Sequence, residues 1–390
     1  MLAHVTCGPT LYLHVGTNKT ATTTIQARLA ASPDALARRG LLYPKAGRLP
    51  SGAHHVLAAA MHRHPPPDLR DVPPLAAQLE ELEAEVAAAR PRGVVVSSEM
   101  LWRRERHRPE AMDALLQRFP RTVVVLFVRR QDAWHLSRYN SLQRRRGTAS
   151  SFADFVRRRP VAFLEGVERW AERVGAEAMR VRPFVPEAWR DGDVTSEFLA
   201  QLDTELQADD LADAPLHNPS LRWDVVEVLR LLGEAPIPDR ERLVGLLERR
   251  FAERSPEPPP PPLTEDLFLE LRARHAEENR RLAADWFRRD EAEALAFPAD
   301  PPASTGSPDV ELADVLPVLS EVWRQRIRLG NHVSALRRRV GRLERRLAHL
   351  DRGRVSWSGR VRRLLGRPSM PGSGKEGSGE RREDAREDAG

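Results

Sequence analysis

Lys19 lies in Leu11 to Leu29, LYLHVGTNKTATTTIQARL, among residues that together could hold a phosphate-type anion while its charge moves. Gly16 lets the backbone turn sharply, Thr20, Thr22 and Thr23 bring hydroxyls, and a compact ammonium can follow an oxygen as negative charge builds on it. The lysine stands against the composition, because only three of the 62 basic residues are lysines: Lys19, Lys45 and Lys375. Gly16 precedes Lys19 by three residues and no glycine immediately precedes that lysine, so the Walker form G-x-x-x-x-G-K-[ST] is not met. The competing reading is an ordinary strand-to-helix connection with a Thr-rich helix start. The coincidence of Gly, Lys and threonines weighs against it.

Two further places carry chemistry. Glu99 follows the apolar run GVVVSS, and Arg129 and Arg130 follow TVVVLFV, so all three charges sit at the ends of apolar segments. Ser137 comes eight residues after Arg129, about two turns along a helix that starts promptly, so a guanidinium and a hydroxyl could converge on one phosphate. Taken singly, Glu99 reads as a helix-start carboxylate, and the arginines and Ser137 as solvated surface groups. His54 and His55 open HHVLAAAM and read as helix-start or surface histidines.

The elements that must hold these residues follow from periodicity. Leu11, Leu13 and Val15 alternate as in a strand, and Ile25 and Leu29 take helical spacing. GLLYP (40–44) is expected to be extended, HHVLAAAM helical, 75–89 an amphipathic helix, 93–98 and 122–128 buried parallel strands, 112–119 a helix, and a further helix begins near Asp132. Beyond residue 150 the pattern predicts helices at 152–157, 163–174, 195–206, 221–232, 240–250 and 265–286, with one strand at 179–184. Ligands of open α/β sheets gather at the carboxyl ends of the strands, which is where Lys19, Glu99 and Arg129 fall.

Together, HVGTNKTATTTIQ and LFVRRQDAWHLSRYNSLQ resemble the 5′-phosphosulfate loop and the 3′-phosphate segment of the sulfotransferases, with Arg129 and Ser137 at the matching spacing. Weaker similarity runs through GLLYP, HHVLAAAM, VVVSSEML, SSFADFV, VERWAERVGAE, VRPF and HNPSLRWDVVEVLRLL, and suggests a bacterial, carbohydrate-type branch over about residues 10 to 297. The resemblance implies a 3′-phosphoadenosine 5′-phosphosulfate donor with no metal. Gly16, Thr17, Asn18, Lys19, Thr20, Ala21, Thr22 and Thr23 would form its 5′ loop, with Lys19 on the sulfuryl and bridging oxygens and Thr22 and Thr23 on the 5′-phosphate; Arg129 and Ser137 would hold its 3′-phosphate. Glu99 is the base it implies, with His55 and His107 in reserve. Asn18 and Ala21 stand where the family usually has proline and glycine, and Thr24 where cytosolic members have an adenine-stacking tryptophan, which carbohydrate-type members also lack.

Composition bounds the rest. One cysteine, Cys7, excludes an intrachain disulfide framework and fits a reducing compartment. The expectation is a cytoplasmic protein, since no signal-like N-terminus or run of about 18 apolar residues is found. The pI of 10.1 belongs to the tail, where residues 312–368 hold 15 arginines against four acidic residues, and this removes the main support for a nucleic-acid partner. The expected architecture is an α/β three-layer, P-loop-like parallel sheet flanked by helices over 1–298, a Pro/Ser/Gly linker over 299–311, a basic coiled-coil helix within 312–367 and a disordered tail over 368–390. Leu329, Val333, Leu336, Val340, Leu343, Leu347 and Leu350 repeat every seven residues and predict a homo-oligomer through 319–350. WSGRVRRLLGR (357–367) predicts peripheral contact with an anionic membrane at its inner face.

The function expected on these grounds is transfer of a sulfuryl group to a hydroxyl of a carbohydrate or glycolipid acceptor. Two alternatives stay open: a P-loop kinase acting on a small molecule, and a non-catalytic sulfotransferase relative that works through its coiled coil.

Overall fold

Five parallel strands form one sheet in the order β2-β3-β1-β4-β5, so the strand that opens the chain lies at its centre. They are β1 (Thr10–Gly16), β2 (Leu41–Leu42), β3 (Gly93–Ser97), β4 (Arg121–Val128) and β5 (Met179–Pro183). This computed structural model describes residues 8–103, 106–213, 220–234, 237, 239–301 and part of 308–342. The helices are α1 (Thr22–Ala31), α2 (Pro33–Arg38), α3 (His55–Met61), α4 (Leu75–Ala89), α5 (Pro109–Leu116) and α6 (Gln131–Arg145). They continue with α7 (Phe152–Arg158), α8 (Leu164–Val174), α9 (Val194–Leu199), α10 (Trp223–Leu232), α11 (Arg240–Arg254) and α12 (Glu265–Trp286).

The sheet is covered on both sides, which is why its central strands read as unbroken apolar runs. Successive residues of a strand point to opposite faces, and the side chains divide accordingly. Leu11, Leu13 and Val15 with Val94, Val96, Val124 and Leu126 pack under α3, α4, α5 and α8, through Leu57, Leu82, Met112 and Trp170. Tyr12, Val95, Val125 and Phe127 pack under α1, α2 and α9, through Ile25, Leu29, Leu36 and Phe198. Burying a valine such as Val95 is worth about 1.5–3 kcal/mol, and this holds the strand ends in fixed register.

Several expected bounds change. The strand at 40–44 reduces to Leu41–Leu42, the only part that pairs with β3. The helix expected at 112–119 starts earlier, at Pro109, whose ring is preorganised for a first helical position, and it stops at Leu116. The helix expected at 195–206 ends at Leu199; Leu202 and Leu206 are buried from turns, so their spacing reported burial rather than helix.

The chain divides into two units, Met1–Leu319 and Ser320–Gly390. In the first, Asp314 pairs with Arg250 and Arg254 and Val318 is buried, so this unit runs past the expected linker. Of the heptad positions in the second, Val340 is helical and 52% exposed, and Leu329, Val333, Leu336, Leu343, Leu347 and Leu350 lie outside the described residues. The segments 357–367 and 368–390 also lie outside them. Among the described residues no helix is long and apolar enough to cross a membrane.

Candidate active site

Three neighbouring strands deliver the site. β3, β1 and β4 lie side by side, and the segments leaving their carboxyl ends carry Glu99, the Gly16–Ala21 turn and Arg129. The crossover from β3 over β1 to β4 makes this the switch point where an open sheet leaves a crevice.

The turn after β1 is held by its own polar atoms. The Thr17 hydroxyl donates to the Phe127 carbonyl at 3.1 Å, and the Thr20 hydroxyl to the Thr17 carbonyl at 2.6 Å. Arg129 Nη1 donates to the Lys19 carbonyl at 3.0 Å, and Trp134 Nε1 to that of Asn18 at 2.9 Å. Thr20 is fully buried, so its hydroxyl shapes the loop instead of facing a ligand, and Thr17 acts mainly the same way. Lys19 and Ala21 are both left-handed, with φ of 71° and 54°. An alanine in that region costs about 1–2 kcal/mol that a glycine would not. Ala21 is also the N-cap of α1, which has no side-chain cap; the Thr24 and Ile25 amides close on the Ala21 carbonyl, and the amides before them open toward the crevice. Gly16 has φ of 107°, and a Cβ there would stand 3.1 Å from Cβ of Glu99. The turn and the carboxylate are therefore fitted to each other.

A cleft of about 430 Å³ brings Asn18, Lys19, Ala21, Thr22, Thr23 and Glu99 together with Arg129 and Ser137. Burial lowers the Lys19 pKa to about 8, Arg145 and Arg138 push it the same way, and Glu99 opposes them. Burial also lowers the pKa of Arg129, whose guanidinium lies 5.3 Å over the Phe184 ring and stays charged. Its neighbour Arg130 does not join it. Arg130 pairs with Asp132 at 2.8 Å and lies over Phe297, so the expected arginine pair supplies one cation to the crevice and one to a structural contact.

Glu99 lies where the first cleft meets a second one, lined also by Thr17, His55, Trp102 and Trp134. Burial would raise its pKa; hydrogen bonding and charge from His55, with Gln26, outweigh that and hold it at about 2. Gln26 Nε2 donates to Oε2 of Glu99 at 3.2 Å and to Ser97 Oγ at 3.1 Å. His55 Nε2 stands 3.6 Å from Oε1 of Glu99, and His55 Nδ1 lies 2.7 Å from Ser98 Oγ. The Ser98 oxygen already accepts the Met100 amide, so with its proton given to Nδ1 the imidazole carries hydrogen on Nε2, toward the carboxylate.

His54 and His107 are structural. His54 is fully buried instead of exposed, its Nε2 3.0 Å from the Pro44 carbonyl and its Nδ1 accepting the Ser97 amide. His107 is buried against His62, with Nε2 3.2 Å from the Met100 carbonyl, and does not line either cleft, so it is no reserve base. Sequence reading missed Gln26, Arg138, Arg145 and Phe184 as parts of the site. Trp134, Arg138, Ser141 and Arg145 recur at three- and four-residue steps on α6, a stripe that could have been read from Ser137 onward.

No family model matches the chain, and no curated protein matches it in sequence. It is similar in structure to a crystal structure of a sulfotransferase from Alicyclobacillus acidocaldarius, at a TM-score of 0.37 and 15% identity, over 70% of this chain and 94% of that one. At that distance the likeness identifies neither a substrate nor a site residue.

Proposed function

We propose that the protein transfers a sulfuryl group from 3′-phosphoadenosine 5′-phosphosulfate to a hydroxyl of a carbohydrate or glycolipid. One observation carries the reading: a single cleft combines Lys19 and the uncapped start of α1 with Arg129 and Ser137, and Glu99 lines it too. Such a cleft suits a nucleotide that is anionic at both ends. Lys19, with the Thr22 and Thr23 segment, would bind the phosphosulfate end, and Arg129 and Ser137 the 3′-phosphate.

In the reaction the acceptor oxygen attacks sulfur as the bond from sulfur to the bridging phosphate oxygen breaks. Glu99, ionised because His55 and Gln26 hold its pKa at about 2, takes the hydroxyl proton. The leaving phosphate gains negative charge, which the Lys19 ammonium and the amide dipoles of α1 stabilise. The products are a sulfate ester and 3′-phosphoadenosine 5′-phosphate.

Calorimetry tests the reading directly. The protein should bind 3′-phosphoadenosine 5′-phosphate and discriminate against ATP with magnesium. Tighter binding of magnesium ATP would turn the site over to a kinase, and no binding of either nucleotide would leave a non-catalytic relative.

A further inference from the structure

The second cleft is more basic than the donor needs. Arg103, Arg106, Arg158 and Arg159 line it without lining the first cleft, while Arg138 and Arg145 line both. Glu99 is its one carboxylate among the described residues, and that carboxylate is already engaged by His55 and Gln26.

Several arginines elsewhere in the chain are neutralised by acidic partners. Arg157, Arg169, Arg173, Arg182, Arg222 and Arg230 each pair with a carboxylate. None of Arg103, Arg106, Arg158 and Arg159 has such a partner among the described residues; Arg159 lies 5.2 Å over the Phe155 ring. They come from two separate segments, the turn after Glu99 and the end of α7, which the fold brings to one cleft. Their field is felt at Arg138, whose pKa is lowered by burial first and then by Arg145, Arg159 and Arg103. Unpaired guanidiniums facing one cavity gain most from a bound anion with planar or tetrahedral oxygens. Trp102 and Trp134, both half-buried on the same cleft, add flat apolar surface of the size of a sugar ring.

We infer that the acceptor carries its own anionic group, a carboxylate, phosphate or existing sulfate on a sugar, held by the Arg103/Arg106 and Arg158/Arg159 wall while the reacting hydroxyl faces Glu99. The inference rests on the transferase reading for which cleft is the acceptor's, and it specifies the acceptor class. It separates this site from one built for a neutral glycan or a plain alcohol. The anion also sets direction, because charge held on the far wall turns the sugar's hydroxyl edge toward the donor.

The test uses the full chain saturated with 3′-phosphoadenosine 5′-phosphate. Three probes are titrated against their neutral parents: a glucuronate-terminated disaccharide, a hexose 6-phosphate and an O-sulfated disaccharide. At least one anionic probe should bind about tenfold or more tightly than its parent, with a preference that shrinks as salt is raised; which probe wins separates carboxylate from phosphate and sulfate. Arg103→Gln/Arg158→Gln should abolish the preference and leave nucleotide affinity and melting temperature unchanged, which also certifies its fold. Equal binding of all anionic and neutral probes, or an undiminished preference in the double variant, would overturn the inference. If the anion preference depends on these arginines but the nucleotide fails to bind, the anion site stands and the transferase reading falls.

Discussion

His55 Nε2 stands 3.6 Å from Oε1 of Glu99, on the side of the carboxylate away from Gln26. That relationship divides the labour between the two groups. The imidazole helps keep the carboxylate ionised, and the carboxylate borders both clefts, where on the proposed reading it would meet the acceptor. Glu99→Gln should therefore leave nucleotide affinity nearly intact and reduce turnover by about 10² or more. Full turnover in that variant would pass the role to His55.

The pH profile separates the same two candidates. With a pKa of about 2, Glu99 stays ionised through the whole working range and gives kcat no acid limb there. His55→Phe removes the group that does most to lower this pKa and leaves burial opposed by fewer contacts, so the pKa rises. The variant should keep activity at neutral pH and lose it as pH falls through that raised value. A wild-type limb in the range where imidazoles ordinarily titrate, absent from an inactive His55→Phe, would identify histidine as the base.

Nucleotide binding should itself depend on pH through Lys19. In the free protein its pKa is about 8, so above that pH the neutral amine must take up a proton to meet the phosphosulfate as an ammonium. Affinity is thus highest below pH 8 and falls as pH rises through it, with proton uptake visible as a buffer-dependent enthalpy. Lys19→Met should remove the dependence and lower transfer more than binding, whereas Arg129→Ala should weaken binding at every pH. Equal affinity of wild type and Arg129→Ala would end the 3′-phosphate assignment.

Ala21 offers a gain rather than a loss. Its left-handed φ of 54° is strained, and it borders the cleft beside Thr22. Ala21→Gly relieves about 1–2 kcal/mol of strain and adds a smaller unfolded-state entropy. We expect tighter nucleotide binding and a melting temperature within about 4 °C of wild type. Weaker binding measured by calorimetry would mean that the methyl group makes a favourable contact.

The tail is addressed by truncation after Leu319, where the first unit ends. The shortened protein should stay folded and bind nucleotide, and should lose the self-association and the salt-sensitive binding to anionic vesicles expected from the heptads and the arginines of 324–367. A full-length monomer in sedimentation would remove the coiled coil, and vesicle binding indifferent to salt would remove the electrostatic account.

The sequence by itself determined the sheet and the outline of the crevice. Runs such as TVVVLFV can be stable only when covered on both faces, and a Gly, Lys and Thr turn at the end of one strand marks the end of the sheet where the cleft lies. Local spacing sufficed there because strand and helix periods are properties of neighbouring residues. The tertiary structure alone decided the partners. Arg129 and Arg130 are adjacent in sequence, yet one stacks on Phe184 beside the cleft and the other pairs with Asp132. His54 and His55 are adjacent too, yet helix geometry buries one against Pro44 and turns the other to Glu99. Gln26 reaches Glu99 across 73 residues and Arg103 and Arg158 line one cleft, arrangements that carry no periodic trace because they arise from packing between elements.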